Sequence, residues 1–121
     1  MNLALWAAQA LLALVFAAAG GMKLTRPPGD VRAAIPAVAD FGDGTLRLIG
    51  LLEVRGAVGV VLPWALGVAP WLTPLAALGL GLTMVGAALT HLRRREAPNV
   101  AMNAVLLGLA LFVAWGRWAA L

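Results

Sequence analysis

Hydrophobic and polar positions in this chain fall into long blocks. Four apolar stretches, about residues 3–22, 46–67, 71–89 and 100–118, are separated by three connections. Each stretch is near the ~20 residues that cross a bilayer as a helix. The first connection, 24–44, is long and polar, and Pro27-Pro28-Gly29 breaks the helix that enters it. Beyond that break, Ile35, Val38 and Phe41 recur every third position, roughly one face of a short helix. Pro36 interrupts this segment, so the pattern predicts either a short piece at the membrane surface or a plain connecting loop. The second connection, Gly67-Val-Ala-Pro70, is short and uncharged. The third begins at His91-Leu-Arg-Arg-Arg-Glu96, and Pro98 restarts the chain. The expected fold class is all-α, a transmembrane four-helix bundle forming one domain over residues 1–121.

Composition agrees with that reading. Of the 121 residues, 63% are hydrophobic and 12% charged, whereas soluble domains run near 45–50% and about 25%. Ala17-Ala-Ala imitates a leader-peptide cleavage site, but no Lys or Arg precedes the first apolar block, so it is read as a span. Ala17/Gly21 and Ala104/Gly108 are small-xxx-small pairs that let helices approach closely. The chain has no cysteine, which excludes disulfides, thiolate chemistry and cysteine-held metal clusters. With one histidine as well, no metal site and no intrinsic cofactor are expected.

Charge sets the expected orientation. The net charge of +4 would raise nucleic acid as a partner in a soluble chain. Here it is read as basic loops beside lipid headgroups, and no nucleic-acid partner is expected. Lys23, Arg26, Arg32 and Arg47 lie on or near the first connection, and Arg93, Arg94 and Arg95 on the third. The positive-inside rule places residues 23–45 and 91–98 in the cytoplasm and both termini outside, in a cell inner membrane. Trp6, Trp64, Trp71, Trp115 and Trp118 all fall at the opposite ends of the spans, where tryptophan favours the headgroup layer.

Span two is unusual, because it carries Arg47, Glu53 and Arg55. Ionisable groups inside a span face a protein interior or a wet cavity by default. Glu53 lies roughly 12 Å beyond Thr45 at 1.5 Å per residue, so it needs a partner. Arg47 projects roughly 240° away round the helix, which leaves Lys23 or His91 on other helices. Glu53 is then either a proton-accepting, ligand-anchoring carboxylate or half of a structural ion pair. Arg55 projects about 200° from Glu53, toward an interface by snorkelling, toward a neighbouring subunit, or toward a cavity. Asn103 and Gln9 are polar groups that could hydrogen-bond between helices.

Three runs then carry a resemblance: Ala19-Gly-Gly-Met-Lys-Leu24; Arg47-xx-Gly50-xx-Glu53-xx-Gly56-Ala-xx-Gly59 continuing to Leu62-Pro63; and His91-Leu-Arg-Arg. Together they resemble the DoxX-like family of small four-helix membrane proteins over nearly the whole chain. Arg55, where the family has an aliphatic residue, and Arg95, where a Gly precedes Glu96, depart from the pattern. The resemblance implies a membrane redox setting, since founding relatives are subunits associated with a thiosulfate:quinone oxidoreductase, and other relatives assist membrane-protein folding. Lys23, Arg47, Glu53 and His91 match the polar positions of the motif. The leading expectation is a lipophilic ligand such as a quinone, bound by Lys23, Arg47, Glu53 and His91, with electrons from a redox partner protein. The first alternative is a non-catalytic subunit or assembly factor for another membrane protein. The second is a self-contained isomerase or hydrolase in which Glu53 and His91 form an acid–base pair. A homodimer is expected on the ground that four short helices bury little.

Overall fold

The structure is a computed structural model that describes residues 1–121. It contains no strands and six helices: α1 Asn2–Thr25, α2 Pro28–Ala34, α3 Asp43–Gly59, α4 Leu62–Leu66, α5 Leu72–Arg93 and α6 Ala97–Ala119. Four segments are long and apolar enough to cross a membrane: α1, the pair α3–α4 taken as Asp43–Leu66, α5 and α6. They form an up-down-up-down bundle in which α1 packs on α3 and α6, and α5 packs on α6 and α3. One end of the bundle carries the first and third connections and most of the charge. The other carries the tryptophans. They are called the basic end and the tryptophan end below.

Proline chemistry sets several boundaries. The residue before a proline is pushed out of the helical region, and α1 stops at Arg26, extended at φ −85°, ψ 151°, directly before Pro27. Pro28 opens α2, where its missing N–H costs nothing. A 3-10 turn, Pro36–Val38, follows. Span two is expected over 46–67 with a kink or end at Pro63, and it breaks slightly earlier, between Gly59 and Leu62. Pro63 has no N–H to offer Gly59 O, and Thr73 Oγ1 donates to that carbonyl instead, at 3.1 Å. Gly67 ends α4 in the left-handed region, φ +66°, as helix C-termini commonly do.

The packed core occupies the tryptophan half and the middle of the bundle. Leu12 and Phe16 of α1 meet Val60, Leu80, Ala110 and Val113 there. The outer surface is leucine-rich, with Leu14 72% and Leu82 74% exposed. Such a surface is compatible with lipid tails, which are as apolar as leucine. In the basic half the helices do not close on one another, and the first connection folds over the gap.

Candidate functional site

Lys23 and Glu53 meet because of the direction their side chains take. Helical side chains lean toward the N-terminus of their own helix. Lys23, near the C-terminus of α1, therefore leans into the bundle, and Glu53 of the antiparallel α3 leans back toward the basic end. Lys23 Nζ donates to Glu53 Oε1 at 2.8 Å, with the residues 8% and 4% exposed. The close approach of α1 and α3 requires glycine. A Cβ on Gly50 would stand 2.8 Å from Lys23 Cβ and 2.9 Å from Gly20 O.

The pair forms part of the wall of a cavity of about 560 Å³, lined by residues of α1, α3, α5, α6 and the first connection. That volume falls in the range of small-molecule sites, about 300–1,000 Å³. Phe16, Met84 and Leu106 belong both to the packed core and to the cavity wall. Ile35, Val38 and Phe41, the periodic residues of the first connection, line the cavity from its basic end. Arg32 holds this cover in place: its Nη2 and Nε donate to Phe41 O at 2.9 and 3.1 Å, and Nη2 also bonds Asp43.

Asn103, in the second turn of α6, lines the same cavity, and its Nδ2 is buried with no hydrogen-bond partner. Buried polar atoms are nearly always paired, so such an exception calls for an explanation. His91 is also a lining residue. Its Nδ1 lies 3.3 Å from Glu96 Oε1, and Glu96 further accepts from Arg94 Nε at 3.2 Å and Asn99 Nδ2 at 3.4 Å. Arg95 completes this turn with φ +57°, the left-handed conformation that costs a side-chain-bearing residue about 1–2 kcal/mol.

Three of the four expected ligand-binding residues, Lys23, Glu53 and His91, therefore surround one cavity. Arg47 is not among its lining residues. Its Nη1 donates to Lys23 O at 2.7 Å. The N–H four residues on from Lys23 belongs to Pro27, which has none, so Arg47 supplies the bond that the proline cannot. Glu53 takes Lys23 as its partner and His91 takes Glu96, and no hydrogen bond joins Glu53 to His91. No three His, Asp or Glu side chains converge into a metal-holding group.

The model of the DoxX-like family matches residues 7–113. The chain belongs to the DoxX-like family. No curated protein and no solved structure matches it. The match takes in Lys23, Arg47, Glu53, His91 and Asn103, so the cavity lies within the family's common portion.

A second polar cluster in this DoxX-like chain lies at the tryptophan end. Arg117 of α6 is 2% exposed. Its Nε donates to Gln9 Oε1 and its Nη1 to Asn2 Oδ1, each at 2.7 Å. Its guanidinium lies 5.1 Å from the Trp6 ring centre and 4.6 Å from that of Trp64. Gln9 Nε2 in turn donates to Val60 O at 2.7 Å, next to the break in span two. Nη2 of Arg117 is buried without a partner, and no carboxylate is within ion-pair distance. In the sequence, Arg117 stands out only as a basic residue on the opposite side from the charged connections. The available signal is on α1: Asn2, Trp6 and Gln9, at i, i+4 and i+7, make one polar-aromatic stripe.

Proposed function

We propose that the cavity binds a lipophilic small molecule with a hydrogen-bonding head group, most concretely a quinone, and that the protein is the ligand-binding module of a redox system in a bacterial-type inner membrane. The observation that carries this reading is the pairing of an apolar wall with the orphaned Asn103 amide in one cavity. The apolar side chains Val15, Phe16, Ile49, Met84 and Leu106 accommodate a ring and its hydrocarbon tail. Asn103 Nδ2 donates to a quinone carbonyl oxygen, and the Lys23 ammonium has N–H groups beyond the one that Glu53 accepts.

Reduction of a quinone takes two electrons and two protons. The chain has no cysteine, so the two electrons are assigned to a redox partner protein, while Glu53 is placed to pass both protons to the quinone in turn, each replaced from the side of His91. His91 and Glu96 stand at the rim of the same cavity on the basic side. The positive-inside rule assigns that side to the cytoplasm, with both termini outside. Arg47 acts on this site through the backbone of Lys23 and not by touching ligand.

Titration of the purified protein with a ubiquinone or menaquinone analogue tests the proposal. The parent is expected to bind, and Glu53→Gln and Asn103→Leu to bind at least tenfold more weakly. Equal binding by parent and Glu53→Gln, or no binding by the parent, rejects it.

A further inference from the structure

Arg55 is the one cation deep within a span that the bundle does not use. It is exposed on the outer face of α3, and no carboxylate of the chain lies within ion-pair distance of it. It stands at the middle of the Asp43–Leu66 span, about 17 Å from either end at 1.5 Å per residue. Long basic side chains snorkel to the interface from positions near helix ends, and Arg55 is as far from both ends as the span allows. Around it on the same face lie Leu48, Leu51, Leu52, Val58 and Leu62, all exposed. The face is thus an apolar strip with one charge at the depth where a lone charge is most costly.

What covers this face must bring a carboxylate to that depth. A second copy of the chain cannot. Asp30, Asp40, Asp43 and Glu96 all lie in connections or first turns at the basic end, and Glu53 is buried against Lys23. Two copies related by an axis along the membrane normal would set Arg55 against Arg55. We propose that the Arg55 face of α3 is a docking surface for a transmembrane helix of a different protein, one that carries an Asp or Glu near its own midpoint among apolar residues.

The experiment measures energy transfer in phosphatidylcholine vesicles between the labelled full-length protein and a labelled polyleucine transmembrane peptide with a single central Glu. Association is expected to fall at least tenfold when the peptide's Glu is replaced by Leu, and equally with Arg55→Leu. That variant removes a cation from lipid, so it should fold at least as well as the parent, which unfolding in detergent verifies. Arg55→Glu should recover association with a peptide carrying a central Lys. The face itself is tested by moving the charge: Arg55→Leu combined with Leu82→Arg puts a cation on exposed α5 and should bind the Glu peptide at least tenfold less than the parent. Association that ignores the peptide's acid, or that follows the arginine to position 82, overturns the proposal. So does a Val58→Cys variant that cross-links copy to copy in the membrane, because that result makes the face a homodimer interface.

Discussion

The two ends of the bundle bury charge in different ways. At the basic end, Lys23 faces Glu53 at 2.8 Å beside a cavity of about 560 Å³. At the tryptophan end, Arg117 is no more exposed, yet faces no carboxylate and is packed against two indole rings. Burial of an ionisable group therefore does not by itself mark a site. The basic-end pair has space on one side and an unpaired amide across it. The tryptophan-end cation has Nε and Nη1 taken up by Gln9 and Asn2, leaves Nη2 unpaired outside the lining of the cavity, and ties α1 to α6 beside the break in span two. The first arrangement leaves room for a ligand; the second acts as a fastening.

The largest effect should come from splitting the basic-end pair. Glu53→Leu leaves Lys23 buried without its partner, and unpaired buried charges of this kind cost about 3–5 kcal/mol. Adding Lys23→Met removes the orphan, so the double variant should return close to parental stability, since apolar replacement of a buried pair is often neutral. Unfolding in detergent micelles measures both. Ligand binding should stay lost in the double variant. A double variant that is stable and still binds would make the pair a fastening too, and the contrast between the ends would collapse.

Arg117→Met should act next in size. It strands the buried Gln9 Oε1, at about 1–3 kcal/mol for an unsatisfied buried group, and loses the bond to the exposed Asn2, but it also removes a cation with no counter-charge. A net loss of about 2 kcal/mol is expected from these opposing terms, again read by unfolding. Quinone-analogue affinity should not change in the fraction that remains folded. A tenfold loss of affinity would show that the tryptophan end belongs to the site.

The sequence makes the spans legible because their apolar blocks match the bilayer in length, and it makes Glu53 legible because one acid in such a block stands out. Its partner in the sequence is Lys23 or His91, and the structure selects Lys23, because the close approach of α1 and α3 at Gly50 brings Lys23 to it while His91 bonds Glu96. Less was legible where the reason lies in backbone bookkeeping. Arg47 looks like a ligand-binding cation until Pro27 is seen to leave Lys23 O without a donor. The helix break is displaced from Pro63 to Val60 and Val61 because the missing bond belongs to the carbonyl four residues earlier. Arg117 was hidden by its position near a helix end, where a basic residue looks like an ordinary topology marker. The cover was half legible: Ile35, Val38 and Phe41 share a face in the sequence, and the structure turns that face onto the cavity.

Asn103→Leu separates site from scaffold with a smaller expected change. Removing a buried donor that has no partner should leave the fold unchanged or raise its stability by about 1 kcal/mol, while weakening quinone-analogue binding at least tenfold. Function and stability then move in opposite directions, which no fastening residue does. A variant that loses stability instead would show that Asn103 makes a bond within the folded protein, and the basic end would lose its clearest mark of a ligand.

Arg95→Gly should give the smallest effect. Arg95 holds φ +57° in the turn that carries His91 and Glu96. Left-handed backbone costs a non-glycine residue about 1–2 kcal/mol, and glycine's greater freedom in the unfolded chain returns part of that gain. A net stabilisation of about 0.5–1 kcal/mol is expected, seen as a higher midpoint of unfolding. The Arg95 side chain does not line the cavity, and the hydrogen bonds of Glu96 run to His91, Arg94 and Asn99. Ligand affinity should therefore be unchanged. If affinity falls while stability rises, the strained turn is holding His91 at the rim in a geometry that a relaxed turn loses, and the basic end would then differ from the tryptophan end in stored backbone strain as well as in open space.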